Sequence, residues 1–188
     1  MPKSTSLWYT PDHILKRVLR TFNHRDIYDP CPMGEDVAID GLKTDWTDHR
    51  YVYCNPPIPA ALWAYKALSV VEQHGNLTTI LFAAFSPSVF FQEPRLLRYP
   101  TCYVRHRIKW IDGRSTLAGK SVIDDHGECV ETRIPNPRFM QSMVGSTQYS
   151  AFVLMGGNVQ DLARFKANFQ DIGAITPGYW LNQNEPNK

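Results

Sequence analysis

The sequence predicts an α/β protein with a mostly parallel sheet and helices on both faces of that sheet. Tyr51 to Cys54 predicts a buried strand, and Thr78 to Ala83 is an apolar, β-branched run that predicts another; Ala60 to His74 between them repeats with helical period. Such alternation of strands and helices is typical of parallel sheets. The length of 188 residues suits one domain with a substantial core.

The first predicted element is a helix over residues 11–22. Its apolar face consists of Ile14, Leu15, Val18, Leu19 and Phe22. Thr10 before Pro11 predicts a hydroxyl N-cap followed by proline at the first helical position.

Two short strands are each expected to end in a turn. Asp26 to Pro30 is followed by the turn Pro30 to Gly34, and Tyr51 to Cys54 is followed by Asn55-Pro56-Pro57. In open α/β sheets, ligands bind beyond the carboxyl ends of the strands. We therefore expect both turns at a ligand site.

The second half of the chain predicts strands at Thr101 to Arg105 and Tyr149 to Met155, and a helix at Val159 to Phe169. Between them, residues 112–148 are rich in Gly, Asp, Ser, Pro and Asn and predict a loop or hairpin excursion. We expect residues 1–182 to form a single domain and 183–188 to form a flexible tail.

Charge is distributed unevenly, although the net charge of +2 does not by itself indicate a partner. Between residues 95 and 120 the basic side chains face a single acid, Asp112, and aromatic residues are interleaved with them. This mixture suits phosphate contact with base stacking, and a solvated strand and loop would have the same composition. The candidate nucleic-acid contacts are Arg95, Arg98, Arg105, Arg107, Lys109, Trp110, Arg114 and Lys120.

The four cysteines are widely spaced and predict reduced thiols, because no Cys-x-x-Cys pair or nearby histidine suggests a zinc site. No metal is expected. The sequence has no apolar run of membrane-spanning length and no signal-peptide pattern at its start, which predicts a cytoplasmic protein without a membrane partner.

Several short motifs occur in a characteristic order. They are Trp8-Tyr9-Thr10-Pro11, Asp29-Pro30-Cys31, Asp40-Gly41-Leu42, Asp45-Trp46, Cys54-Asn55-Pro56-Pro57 and the basic, aromatic segment Arg105 to Trp110. In order and spacing the chain resembles the small phage Dam-type DNA adenine methyltransferases over roughly residues 7 to 156. The family usually has an aromatic residue where this chain has Ile58.

This resemblance implies a Rossmann-like methyltransferase sheet that uses S-adenosylmethionine. The sheet is expected to be pruned, because about 25 residues between Asp29 and Asn55 are too few for two strand–helix units. Asp29 would lie near the cofactor's ammonium group, and Asp40, Asp45 and Trp46 near its adenosine. The implied cofactor contacts are Trp8, Tyr9, Thr10, Pro11, Asp29, Pro30, Cys31, Gly34, Asp40, Asp45 and Trp46.

The catalytic residues implied are Asn55, Pro56, Pro57 and Ile58. The Asn55 side-chain oxygen and the Pro56 carbonyl would accept hydrogen bonds from an exocyclic amine, which then attacks the methyl group directly. The predicted reaction is methylation of the N6 amine of adenine in DNA, in a phage protein that protects DNA from restriction in the host cytoplasm.

Two alternatives stay open at the level of sequence. A relative of the family could modify another base, as the departure at Ile58 suggests. A degenerate methyltransferase fold could instead bind nucleic acid without turnover. The choice between DNA and RNA, and between a monomer and a homodimer, is also open.

Overall fold

A computed structural model describes residues 8–32, 40–57, 60–75, 78–85, 93–123, 126–142 and 149–178 of the protein. The helices are α1 (Asp12–Thr21), α2 (Ala60–Gln73) and α3 (Val159–Phe169), with a short 3₁₀ helix at Leu96–Arg98. The strands are β1 (Trp8–Tyr9), β2 (Tyr51–Cys54), β3 (Thr78–Phe85), β4 (Thr101–Val104), β5 (Ile111–Asp112), β6 (Thr116–Ile123), β7 (Cys129–Pro135), β8 (Tyr149–Gly156) and β9 (Gly173–Thr176).

The central sheet has five strands in the order β2-β3-β8-β4-β9. Strands β2 and β3 are parallel, with Tyr51 opposite Thr78 and Cys54 opposite Leu81. The pairs β3–β8, β8–β4 and β4–β9 are all antiparallel. The prediction of a mostly parallel, Rossmann-like methyltransferase sheet is therefore wrong.

The position of β4 explains the error. A helix connects β2 to β3 and another connects β8 to β9, so each pair has the connection that normally produces parallel neighbours. Only β2 and β3 are adjacent, because β4 lies between β8 and β9 and pairs with both in the antiparallel sense. The alternation of strands and helices was recognised correctly, but it does not specify which strands become neighbours.

Two small antiparallel pairs lie outside the central sheet. Strand β1 pairs with β5, with Trp8 opposite Asp112 and Tyr9 opposite Ile111. Strands β6 and β7 form a hairpin that occupies most of residues 112–148. The first of these pairs connects the N-terminal motif to β5, which directly follows the segment Arg105 to Trp110.

The alternation of side chains along β2 divides the core into two clusters. Val52 and Cys54 pack with α2 residues such as Leu68 in one cluster, which we call the α2 cluster. Tyr51 and Tyr53 pack with apolar residues from α1 and α3 in the other, which we call the α1 cluster. Helix α2 therefore covers one face of the sheet, and α1 and α3 cover the other.

Two local predictions are corrected by the structure. Asp26 to Pro30 forms an isolated bridge between Tyr28 and Val52 instead of a strand. The N-cap of α1 is Pro11, not Thr10, and no side chain caps this helix end. The reason is that the hydroxyl of Thr10 is bonded to Tyr53 and Asn55 instead.

Candidate active site

Three separate segments of the chain meet around one cavity of about 180 Å³. The lining residues are Tyr9, Thr10, Leu15, Asp29, Cys31, Pro32 and Asn55. Five of these were singled out from the sequence as cofactor or catalytic residues, while Leu15 and Pro32 were not. The cavity therefore brings together the N-terminal motif, the turn after Asp29 and the residue that follows β2.

Backbone hydrogen bonds align the Asp29 turn with the end of β2. The Tyr28 N–H donates to the Tyr51 carbonyl at 2.9 Å, and the Tyr53 N–H donates to the Tyr28 carbonyl at 3.0 Å. These bonds place Tyr28 alongside Val52 in a parallel bridge. Because the two segments run in the same direction, Asp29 and Asn55 both lie just beyond this bridge.

The close approach of Gly41 to Pro30 supports the same turn. A Cβ atom at position 41 would collide with the carbonyl oxygen, carbonyl carbon and Cβ of Pro30. The Gly41 carbonyl in turn accepts a 2.8 Å hydrogen bond from Trp46 Nε1 in the core. Residues 40–46, which we call the buttress segment, therefore pack against the Asp29 turn and support it.

We expect Gly41→Ala to destabilise the protein by about 1–3 kcal/mol, the usual cost of overpacking. The added methyl group must displace the Pro30 backbone, and with it the turn that carries Asp29 and Cys31. Chemical denaturation measures this loss directly. Gly75→Ala is the matched control, because a Cβ there meets no atom within 4 Å. Equal stabilities for the two variants would contradict the supporting role of the buttress segment.

The orientation of the Asn55 amide is determined by its neighbours. Its Nδ2 donates to the Trp8 carbonyl at 3.2 Å and to Thr10 Oγ1 at 3.3 Å. A carbonyl oxygen can only accept, so the nitrogen must be the atom that faces Trp8. Within the described residues no hydrogen bond is made to Asn55 Oδ1.

Asp29 is the second acceptor on the cavity wall. Its Oδ1 accepts a 2.8 Å hydrogen bond from the Cys31 N–H, and no described residue donates to Oδ2 or forms an ion pair with it. Burial raises the pKa of Asp29 above its ordinary value, and the bond from Cys31 offsets part of this rise. A partly desolvated carboxylate without a cationic partner favours a positively charged ligand.

Cys31, which lines the cavity, forms a pair of buried thiols with Cys54. Cys31 Sγ and Cys54 Sγ are 3.5 Å apart, and neither thiol belongs to a disulfide. Burial is the main cause that raises the pKa of Cys54. These thiols therefore pack as apolar groups between the Asp29 turn and the core.

Strand β5 pairs with the segment Trp8–Tyr9, of which Tyr9 lines the cavity. Its buried Asp112 accepts from Arg114 Nε at 2.9 Å and from Nη2 at 2.6 Å, and the Arg114 guanidinium lies 5.0 Å from the centroid of the Trp8 ring. Trp8 is the residue whose carbonyl accepts from Asn55. The Asp112–Arg114 pair therefore stabilises the segment that orients the Asn55 amide.

This ion pair predicts a pH dependence of stability. The hydrogen bond from the Arg114 side chain lowers the pKa of Asp112 to about 2, well below its ordinary value. Because the folded pKa is depressed, its stabilising contribution is complete above the ordinary aspartate pKa and is lost as the pH falls towards about 2. In denaturation experiments between pH 7 and 2, we expect the difference between wild type and Asp112→Asn to shrink with falling pH. A difference that is independent of pH would contradict this role.

The candidate adenosine contacts are not brought to the cavity. Trp46 is fully buried in the α2 cluster. Asp40 forms an exposed ion pair with Lys43 at 3.1 Å. Asp45 is exposed and accepts from the Thr47 N–H at 2.9 Å. All three occupy the buttress segment, where they stabilise turns and core packing.

The predicted nucleic-acid residues fall into two groups. Arg95 pairs with Glu93 and Glu72, Arg114 pairs with Asp112, and Trp110 is buried in the α1 cluster. The exposed group consists of Arg98, Arg105, Arg107 and Lys109. We call residues 105–110 the basic segment: its cations Arg105, Arg107 and Lys109 are exposed, whereas Ile108 and Trp110 are buried.

The remaining predicted residues differ in what the structure describes. Pro11 is buried at the start of α1, Pro30 is buried beside Gly41, and Pro56 and Pro57 are half-buried after Asn55. Gly34, Ile58 and the proposed tail 183–188 lie outside the described residues, as does the side chain of Lys120.

Tyr53 is the main residue of the site that the sequence interpretation missed. Its hydroxyl is 3.1 Å from Thr10 Oγ1, and its ring is buried. The available signal was the two-residue period of a strand, which places Tyr53 and Asn55 on the same side of the chain.

Among the described residues, no three His, Cys, Asp or Glu side chains form a group that could hold a metal ion. The described helices also include none that is both long and apolar enough to cross a membrane.

Fold and site together define a protein with a mixed five-stranded sheet covered on both faces by helices, with an acceptor-lined cavity beyond the end of β2. Comparison with protein-family models, curated proteins and solved structures gives no match for this chain.

Proposed function

We propose that the protein is an S-adenosylmethionine-dependent methyltransferase that acts on the N6 amine of adenine in DNA. The proposal rests on one observation: Asp29 and Asn55 line the same cavity, and no described residue donates a hydrogen bond to Asn55 Oδ1. Both groups accept hydrogen bonds, so the cavity suits a ligand with an amine and a positive charge.

The residues present fit the proposed cofactor in their chemistry. Asp29 would bind the ammonium group of its methionine part, since that carboxylate has no cationic partner within the described residues. The ring of Tyr9 and the side chain of Leu15 would contact less polar parts of the ligand. When bound, S-adenosylmethionine would supply an electrophilic methyl group.

Asn55 and Pro56 would hold the amine that accepts this methyl group. The Asn55 Oδ1 and the Pro56 carbonyl would each accept a hydrogen bond from the amine and so hold its nitrogen in place. Catalysis would rest on positioning and fixed dipoles and not on a general base.

The basic segment is the proposed DNA contact. Ile108 and Trp110 anchor it in the same cluster as Ile14 of α1. It leads directly into β5, which pairs with Trp8 and Tyr9 at the cavity wall. The exposed cations therefore belong to a segment that continues into the wall of the site.

We expect the double variant Arg105→Ala, Lys109→Ala to bind DNA more weakly while its affinity for S-adenosylmethionine is unchanged. Each cation that no longer neutralises a phosphate should reduce the slope of log K against log salt by about 1. Fluorescence anisotropy with duplex DNA at several salt concentrations measures both the affinity and the slope. Lys166→Ala, an exposed cation on α3, is the control, and an unchanged salt slope in the double variant would exclude the basic segment as the contact.

The activity is tested by incubating the protein with unmethylated DNA and S-adenosylmethionine labelled in the methyl group. Label retained on DNA, and not on RNA of the same sequence, would support the proposal. Calorimetry with S-adenosylmethionine alone separates cofactor binding from turnover. Cofactor binding without transfer to DNA would argue for another acceptor.

A second candidate is a nucleic-acid-binding protein without turnover. The mixed strand order favours it, because the sheet lacks the mostly parallel arrangement implied by the resemblance to methyltransferases. It predicts salt-dependent DNA binding without cofactor binding. We propose a cytoplasmic location for either candidate, and for the methyltransferase a role in protecting phage DNA from restriction.

A further inference from the structure

The Tyr53 hydroxyl completes a short hydrogen-bonded chain behind Asn55. Tyr53 OH is 3.1 Å from Thr10 Oγ1, and Thr10 Oγ1 is 3.3 Å from Asn55 Nδ2. The second hydrogen of Nδ2 is donated to the Trp8 carbonyl at 3.2 Å. Both donors of the amide are thereby used inside the protein.

The Tyr53 hydroxyl keeps its proton over the whole physiological pH range. The side chain is 3% exposed, and burial raises the pKa of its hydroxyl far above the usual value. Tyr53 therefore stays a neutral hydroxyl that can donate to Thr10 or accept from it. In either arrangement one lone pair of Thr10 Oγ1 stays directed at Asn55 Nδ2.

Without this partner, Thr10 Oγ1 would lose the contact that holds it beside Asn55 Nδ2. The Trp8 carbonyl would still require the amide nitrogen to face it, but it would hold the amide alone. The acceptor Oδ1 would then be held less firmly, and an amine bound to it would be positioned less well.

We propose that Tyr53 is a positioning residue that, through Thr10, keeps Asn55 Oδ1 directed into the cavity. Its effect on turnover rests on the proposed methyltransferase function, whereas its effect on the orientation of the amide does not. Strand β2 places Tyr53 two residues before Asn55, on the side of the sheet covered by α1. A single segment thus contains both the amide and the group that orients it.

The test compares Tyr53→Phe with Tyr51→Phe. Both substitutions remove one hydroxyl from the same face of β2, and within the described residues no hydrogen bond involves the Tyr51 hydroxyl. In Tyr53→Phe we expect kcat to fall by about tenfold, which corresponds to one hydrogen bond of typical strength, with an unchanged KM for S-adenosylmethionine. Tyr51→Phe should retain wild-type kcat.

A second readout does not require activity. In ¹⁵N-labelled protein the side-chain amide signals of Asn55, assigned by their loss in Asn55→Ala, should shift in Tyr53→Phe and in Thr10→Val. They should stay in place in Thr10→Ser, which keeps the hydroxyl. The Asn136 amide, which donates to the Arg114 carbonyl at 2.8 Å, is the internal reference.

The two readouts separate the two hypotheses. Shifted Asn55 signals in a protein that transfers no methyl group would support the positioning role and contradict the proposed function. Asn55 signals that do not move in Tyr53→Phe would overturn the positioning role, whatever happens to turnover.

Discussion

Asn55→Ala is expected to abolish methyl transfer and to leave the affinity for S-adenosylmethionine essentially unchanged. Loss of one preorganised polar group at the reacting centre typically lowers kcat by about 10²–10³-fold. The alanine variant removes the side-chain amide from the lining of the cavity, while the Asp29 carboxylate is unchanged. Single-turnover kinetics with calorimetry of cofactor binding measures the two effects separately.

Asn168→Ala is the matched control for this substitution. Asn168 also has a side-chain amide that donates to a main-chain carbonyl, that of Arg164 at 2.8 Å, but it lies on α3 and does not line the cavity. The Asn168→Ala variant should transfer methyl groups at the wild-type rate. A turnover for Asn55→Ala equal to that of this control would eliminate Asn55 as a catalytic residue.

Asp29→Asn is expected to weaken binding of S-adenosylmethionine by at least about tenfold, which corresponds to a loss of about 1.4 kcal/mol. The substitution keeps an oxygen that can accept from the Cys31 N–H and removes the negative charge proposed to bind the ammonium group. For the same reason, binding to the wild type should weaken as the pH falls through the raised pKa of Asp29. Calorimetric titrations at several pH values measure this dependence.

The same substitution should stabilise the ligand-free protein. The folded pKa of Asp29 lies above its ordinary value because burial disfavours the charge, so the native state binds the proton more tightly than the unfolded chain does. The penalty for the buried charge is therefore complete above the raised folded pKa, declines as the pH falls through that pKa, and is gone below the ordinary aspartate pKa. Asp29→Asn removes this penalty, and its midpoint of thermal unfolding at pH 7 should exceed that of the wild type.

Asp45→Asn provides the comparison for both effects. Like Asp29, Asp45 accepts from the main-chain N–H two residues ahead, but it lies on an exposed turn and its pKa is lowered by that hydrogen bond. We expect no change in cofactor affinity and no gain in stability. Equal effects of the two substitutions would show that position in the cavity has no special importance.

Local pattern was enough to predict the elements that carry the site. The strand Tyr51–Cys54 and the helix Val159–Phe169 have the predicted bounds, because alternation and helical period reflect which side chains are buried. The motifs also indicated which residues would lie at the site, and the structure brings five of them to one cavity: Tyr9, Thr10, Asp29, Cys31 and Asn55. A turn after a strand reports its position at the end of the sheet, whatever the order of the other strands.

Long-range pairing was the part that local pattern could not provide. The insertion of β4 between β8 and β9 depends on contacts between residues about 50 and 70 positions apart, which no local periodicity encodes. Strands β1 and β5 have two residues each, too few to show any period. Trp46 and Trp110 were treated as ligand contacts, yet burial in the core explains both.

The most direct test of the central proposal is the identity of the methylated base. Unmethylated DNA is incubated with S-adenosylmethionine and either the wild type or Asn55→Ala, then digested to nucleosides for mass spectrometry. We expect N6-methyldeoxyadenosine in the digest of DNA treated with the wild type and none in the digest of DNA treated with Asn55→Ala. Methylcytosine, or no modified nucleoside from a preparation that binds the cofactor, would contradict this expectation.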